Sequence, residues 1–250
     1  MITGVARMWK RLCGPFKEYG PGAGALYAID RVMQALSPHL RLFVYELMVQ
    51  PVSDQPLLPA RLSKSLEVRE IRRGDPDVVL MPARPEIKQS RFDQGARCLG
   101  AYRNGQLVGY MWFCPERYEE DEVRCTYLLS PAARSVFDFD LYIYPEHRMG
   151  LAFIGIWNGA NEHLRRRGVD FTFSRVTRFN LASRRAHAHL GAKRIGMAVF
   201  LRAWTLEMML ATVRPFLWIS WRAGKRVGLR LAPDPSLPRA TGTESVRVES

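Results

Sequence analysis

Leu66-Glu67-Val68-Arg69-Glu70-Ile71 alternates apolar and polar side chains with a period of two, the pattern of a strand that buries one face. Residues 40–49 are apolar on both parities and rich in β-branched and aromatic side chains, which predicts a strand buried on both faces. Residues 98–102 and 107–114 read as two further strands, and Asn104-Gly105 between them is a type I′ hairpin signal. Residues 123–129 and 137–144 continue the run of strands. The pattern then lengthens. Residues 151–166 form an apolar helix, 171–176 a strand, 181–190 a helix closed by Gly191, and 197–204 a last strand. Ahead of all these, 26–36 is a short helix that Ser37-Pro38 ends, and 51–59 is a Pro-rich connector. Gly74-Asp75-Pro76 opens a helix or a loop.

This order (a strand, a loop or helix, a β-meander, then β-α-β-α-β) predicts an α/β fold, a mixed sheet with helices on its faces. No internal repeat is visible. The predicted divisions are a helical and extended addition at 1–65, a central domain at 66–204, an aromatic and basic helix at 205–231 and a disordered tail at 232–250.

Composition changes this picture in one respect. Of 250 residues 47% are hydrophobic and 24% charged, ordinary for a core-forming chain. The 37 Lys and Arg against 24 Asp and Glu leave a net charge of +13. That balance suits a polyanionic partner: nucleotide phosphates, an acidic carrier protein, an anionic membrane surface or nucleic acid. A surface of solvated arginines is the plain alternative. No helix-turn-helix, zinc-finger or RNP pattern supports nucleic acid. Cys13, Cys98, Cys114 and Cys125 have no CxxC spacing, so neither a metal site nor a disulfide framework is expected. Their use fits a reducing, cytoplasmic compartment. Arg7, Lys10 and Arg11 are followed by no signal-like apolar run, and the apolar stretch 208–221 is broken by Arg214 and Pro215. It falls short of the roughly 20 residues that span a bilayer.

Two motifs carry candidate chemistry. The strand at 137–144 runs into Pro145-Glu146-His147-Arg148-Met149-Gly150-Leu151-Ala152 and then into a helix. Unpaired N–H groups and the positive end of a helix dipole make such a turn an anion site. The second motif is Asn180-Leu181-Ala182-Ser183-Arg184-Arg185-Ala186-His187-Ala188-His189-Leu190-Gly191-Ala192. Together they resemble the GNAT superfamily of acyl-CoA-dependent N-acyltransferases. That family has a splayed sheet, an R/Q-x-x-G-x-G/A turn after its fourth strand, and an N-x-x-A-x-x-x-Y-x-x-x-G-F segment. Gly150 and Ala152 match the small positions, and His147 stands where Arg or Gln is usual. Asn180, Ser183 and Gly191 match the second segment. His187 stands in the tyrosine's place and Ala192 in the phenylalanine's.

The resemblance implies a GNAT-like fold and acetyl-CoA or another acyl-CoA as donor, with an acyl-carrier-protein thioester as a second possibility. It implies a cofactor site of Tyr142, Ile143, Tyr144, His147, Arg148, Met149, Gly150, Leu151, Ala152, Asn180 and Ser183. Backbone groups at 142–144 would face the thioester carbonyl, and His187 would protonate the leaving thiolate. The acceptor is an amine of a small molecule or sugar, attacking directly. Beside this, Glu122 or Glu120 in the acidic run before a central strand is the candidate base, against a plain solvated hairpin. Asp138 and Asp140 share strand parity and so one face. They bind a substrate amine or pair with Arg124 on the neighbouring strand. Arg184, Arg185, Lys193 and Arg194 suit a cofactor phosphate or an acidic carrier. The aromatic and basic stretch 206–230 reads as an interfacial membrane helix or as a helix packed on the domain. Two alternatives stay open: a long-chain transferase fed by carrier protein, and a non-catalytic membrane-associated module of the same fold.

Overall fold

The computed structural model describes residues 16, 18–148, 150–235 and 237. In chain order the strands are β1 (Leu40–Pro51), β2 (Glu67–Ile71), β3 (Arg97–Arg103), β4 (Gln106–Pro115), β5 (Arg117–Glu119), β6 (Cys125–Leu129), β7 (Ser135–Ile143), β8 (Phe171–Thr177), β9 (Lys193–Ala203), β10 (Leu206–Ala211), β11 (Leu217–Ser220) and β12 (Val227–Leu231). Among the described residues, helices longer than one turn include α1 (Pro21–Leu36), α2 (Pro85–Asp93), α3 (Ala152–Arg165) and α4 (Leu181–His189). These elements fall into two compact units. The first takes the chain up to Met48, Glu122–Thr126 and Arg175–Arg230; the second takes Val49–Asp121, Tyr127–Ser174 and the chain from Leu231.

In the second unit β2, β3, β4 and β7 pair antiparallel in that order, and β8 joins β7 in parallel. The sheet is therefore mixed, as the alternation of strands and helices predicts. Helix α3 approaches this sheet closely because two of its residues lack a side chain. A Cβ on Gly159 would stand 2.5 Å from Val68 Cβ, and one on Gly155 would stand 2.7 Å from Leu66 Cδ1. Trp112, Trp157, Phe113, Phe137 and Phe173 are all but fully buried and make the centre of the core. Tyr127, Phe137, Tyr118 and Phe139 stack in succession, with centroids 4.5, 5.0 and 4.1 Å apart.

In the first unit the strand order is β11-β10-β9-β1, with β9, β10 and β11 forming an antiparallel meander. The buried Asp30 ties α1 to β1 by accepting the Leu42 N–H at 3.0 Å. The helix expected at 205–231 is absent, and β10, β11 and β12 occupy that stretch. Pro215 lacks the N–H that a helix interior needs, and Val213, Trp218 and Ile219 favour extended backbone. Glu207 is fully buried on β10 and paired with Arg202 at 2.9 Å and Arg124 at 3.6 Å, which anchors the strand. The expected tail at 232–250 lies almost wholly outside the described residues, as do Cys13 and Met149. Among the described residues no helix is long and apolar enough to cross a membrane. Among them, too, no group of three or more His, Cys, Asp or Glu could hold a metal ion.

Candidate active site

The second unit contains the strand–turn–helix. After β7, Pro145–His147 makes a single 3-10 turn, and α3 begins at Ala152 with no side chain capping it. The N–H groups of its first turn and the positive end of its dipole are therefore left for a ligand. At Gly150 a Cβ would meet nothing closer than His147 O at 3.6 Å and Arg103 Nη2 at 4.0 Å. A small side chain there would make only ordinary contacts with the described residues. Arg148 is exposed on the same turn, and its Nε donates to Ile143 O at 3.0 Å. The Arg148 guanidinium also lies over the Tyr142 ring at 5.6 Å, so Arg103 is the cation that approaches the helix start. His147 Nε2 is buried with no hydrogen-bond partner among the described residues.

The strand leading into this turn parts from its neighbour. β7 and β8 pair at Ser135↔Phe171, Val136↔Thr172 and Phe137↔Phe173, and no further. Beyond Phe137 one edge of β7 is open. The Tyr144 N–H does not face that edge, because it donates to Val108 O at 3.1 Å on the β4 side. Antiparallel alternation turns Tyr142 the same way and Ile143 the opposite way. Of the backbone groups expected at 142–144, the N–H presented on the open edge is that of Ile143.

A bulge separates the two aspartates. The β4–β7 register slips between Tyr110↔Tyr142 and Trp112↔Phe139, and Asp140 takes a left-handed φ of 47°. The extra residue breaks the parity that would put Asp138 and Asp140 on one face. Asp138 lies opposite Phe113, whose ring is 5.8 Å from His163 of α3, so it points beneath that helix. Burial there pushes its pKa up to about 7, against a smaller opposing effect of Thr172. Asp140 instead pairs with the buried Arg91 of α2. Arg91 also donates to Asp121 Oδ2 from Nε at 3.0 Å and from Nη2 at 2.8 Å, and it lies over the Phe139 ring at 5.2 Å. Two partly open carboxylates against one guanidinium leave one negative charge.

A family model described as the acetyltransferase (GNAT) family matches residues 66–192, just over half of the chain. This chain belongs to the GNAT family. Its own strands and helices make a mixed α/β architecture. A conserved protein from Staphylococcus epidermidis is 13% identical with a TM-score of 0.43, the match covering 69% of this chain and 66% of that one. A GNAT-family protein from Novosphingobium aromaticivorans is 16% identical with a TM-score of 0.40, covering 65% and 66%. The chain thus spans just under two thirds of the length of both. The YncA protein of Salmonella typhimurium, solved with acetyl-CoA, is 18% identical with a TM-score of 0.35, covering 51% and 79%. No curated protein matches the chain significantly.

The remaining expected residues of this GNAT chain have definite places. In the second unit Glu120 is 1% exposed and accepts the Asp121 N–H, so it does not stand at a solvent-facing mouth. In the first unit Glu122 accepts from Arg175 Nη2 at 2.6 Å and from the Tyr45 hydroxyl at 3.0 Å, both on Oε2. Arg124 does not pair with either aspartate. It donates to the carbonyls of Thr205 and Ser220, each at 2.9 Å, and joins Glu207. Asn180 caps α4 by accepting the Ser183 N–H at 3.0 Å, and Gly191 ends that helix at φ 82°. His187 is buried on α4, and burial lowers its pKa to about 4. Near neutral pH its ring is uncharged and has no imidazolium proton to give. Arg184 pairs with the buried Glu46 at 2.7 Å, together with Arg178 and with Arg194 at 3.6 Å. Arg185 and Lys193 are not drawn into that cluster.

Sequence reasoning missed Arg91 and Arg103. Arg103 abuts the Asn104-Gly105 turn, and the pairing of β4 with β7 carries that hairpin end toward the start of α3. The hairpin signal therefore contained a clue. Arg91 left none, since its partners lie 30 and 49 residues away in the chain.

Proposed function

We propose that this GNAT protein transfers an acetyl group from acetyl-CoA to the amine of a small molecule by direct attack. The carrying observation is the uncapped start of α3 behind Gly150, which Arg103 approaches, with Arg148 on the same turn. Those residues fit a pyrophosphate, whose charge suits the Arg103 guanidinium and the first-turn N–H groups of α3. Acetyl-CoA, when bound, supplies the activated acyl group. The Ile143 N–H, fixed on the open edge of β7, is a preorganised donor for a carbonyl oxygen that gains negative charge. The surplus negative charge of Asp121 and Asp140 against Arg91 attracts a cationic acceptor amine. Direct attack is supported by the cysteines of this unit. Burial pushes the Cys98 thiol well above its usual value and the Cys114 thiol to about 11, so both stay protonated and poorly nucleophilic.

Calorimetric titration with CoA, acetyl-CoA and longer acyl-CoAs tests the reading, using the native chain and Gly150→Val. The native chain is expected to bind. The variant should lose about tenfold or more in affinity with an unchanged melting temperature, because its side chain fills ligand space and not protein space. A native chain that binds neither CoA nor any thioester would end the proposal. Preference for a long acyl chain on a carrier protein would replace the acetyl donor and leave the attack unchanged.

A further inference from the structure

The β9-β10-β11 meander of the first unit is apolar on both faces. One face carries Ala198, Phe200 and Met209, each 0% exposed, with Glu207 and Ser220 beside them. The pairing registers put Leu201, Met208 and Ile219 in one row of the opposite face and Val199, Leu210 and Leu217 in the next. An antiparallel sheet with one buried face normally presents polar side chains on the other. Here Leu210, Leu217 and Ile219 are 52%, 55% and 45% exposed. Trp204, Phe216 and Trp221 stand exposed in the turns and at the strand end bordering this face. β11 is also the edge strand, and residues 215–221 contain none of the charges that usually guard an edge. A contiguous exposed apolar patch of this kind marks an interaction surface.

Charge selects the partner. Between Glu207 and Asp234 the chain has no carboxylate, and it has Arg214, Arg222, Lys225, Arg226 and Arg230, all exposed. Glu207 itself is fully buried and neutralised by Arg124 and Arg202. An apolar face, an aromatic border and an excess of cations are the chemistry of a negatively charged lipid–water interface. A second copy pairing edge to edge would set identical cations against each other, which disfavours self-association. We propose that the exposed face of the β9-β10-β11 sheet docks on an anionic lipid bilayer. The aliphatic rows and the aromatic border enter the headgroup region, and Arg214, Arg222 and Lys225, in the loops flanking β11, meet the lipid phosphates. The docking element is a sheet, not the helix expected from the sequence, and it stands independently of acyl transfer.

Sedimentation of the full chain with vesicles of phosphatidylcholine alone, and of phosphatidylcholine mixed with phosphatidylglycerol, tests this. Binding is expected to the mixed vesicles and not to the neutral ones, with a blue shift of tryptophan emission. Arg222→Gln with Lys225→Gln should weaken partitioning about fivefold for each cation removed. Leu217→Ser with Ile219→Ser should abolish the blue shift and most of the binding. Both pairs are exposed, so circular dichroism should show a native fold. Undiminished binding of the Leu217→Ser, Ile219→Ser variant would mean diffuse charge attraction and overturn the proposal. Equal binding to neutral vesicles would overturn it too. So would a dimer of the native chain that ignores vesicles and that the same variant dissociates, which would give the face to a second copy.

Discussion

The Asp138 carboxyl lies beneath α3, where burial raises its pKa from 3.8 to about 7. The sign of its effect on stability follows. Below about pH 4 the carboxyl is protonated whether folded or unfolded, and its contribution is complete. As pH rises the unfolded chain ionises first, so stability falls until the folded group ionises near pH 7, and then levels. The loss over that interval is about 2–4 kcal/mol. His187 acts in the opposite sense, because its folded pKa near 4 lies below the usual 6.5 and stability grows as pH rises between them. Only a difference between variants isolates Asp138. Asp138→Asn is therefore expected to flatten the fall between pH 4 and 7, and to melt higher than the native chain above pH 7. Melting curves across that range check it, and parallel profiles for the two proteins would refute it. The same carboxyl shows how far single residues were legible. Its strand was legible in the pattern, but neither its burial nor its separation from Asp140 was. A bulge comes from how β7 pairs with β4, and period-two counting along one strand does not register it.

At the scale of elements, the approach of β4 to β7 sets the site. A Cβ on Gly109 would stand 2.5 Å from Ile143 Cδ1 and 2.8 Å from Tyr142 O. The Ile143 side chain can turn away, but the carbonyl belongs to the strand and moves only with it. Gly109→Ala is expected to cost about 1–3 kcal/mol of stability through overpacking. It should also displace the Ile143 N–H, so that turnover falls further than thioester affinity. Thermal melting combined with kcat and Kd measurements tests this; a variant with native melting and native kcat would show that β7 has slack. Most elements here were readable in the sequence because each buries one face or two: β2, β3, β4, β7, β8, α3 and α4 stand within a few residues of their expected bounds. The stretch from 205 was misread because apolar and basic residues fit an amphipathic helix as well as a hairpin. Pro215 and the buried Glu207 decide for the hairpin. The strand–turn–helix was legible because glycine and helix start are adjacent in the chain. Arg103 and Arg91 were not, because tertiary pairing recruits them from other elements.

For the whole molecule the decisive quantity is the net charge of +13. Like charges repel in any compact state, so the fold carries an electrostatic cost that dissolved salt reduces. The attractive pairs respond less. Glu46 with its arginines and Arg91 with its aspartates are largely buried and poorly screened. Exposed pairs such as Arg166–Glu162 contribute well under about 1 kcal/mol. At 0.1 M salt the screening length is about 10 Å, long enough to preserve contacts and short enough to remove repulsion across the surface. The melting temperature is therefore expected to rise between low and moderate sodium chloride. On the proposed reading the affinity for CoA should fall over the same range, because Arg103 and the α3 terminus would act on the ligand's phosphates through the same screened field. Opposite trends in stability and affinity are the signature of a surplus held for an anionic ligand. Scanning calorimetry and CoA titration over one salt series measure both. A melting temperature that falls with salt would show that ion pairs outweigh repulsion, and a salt-independent CoA affinity would remove Arg103 and the α3 terminus from the account of binding.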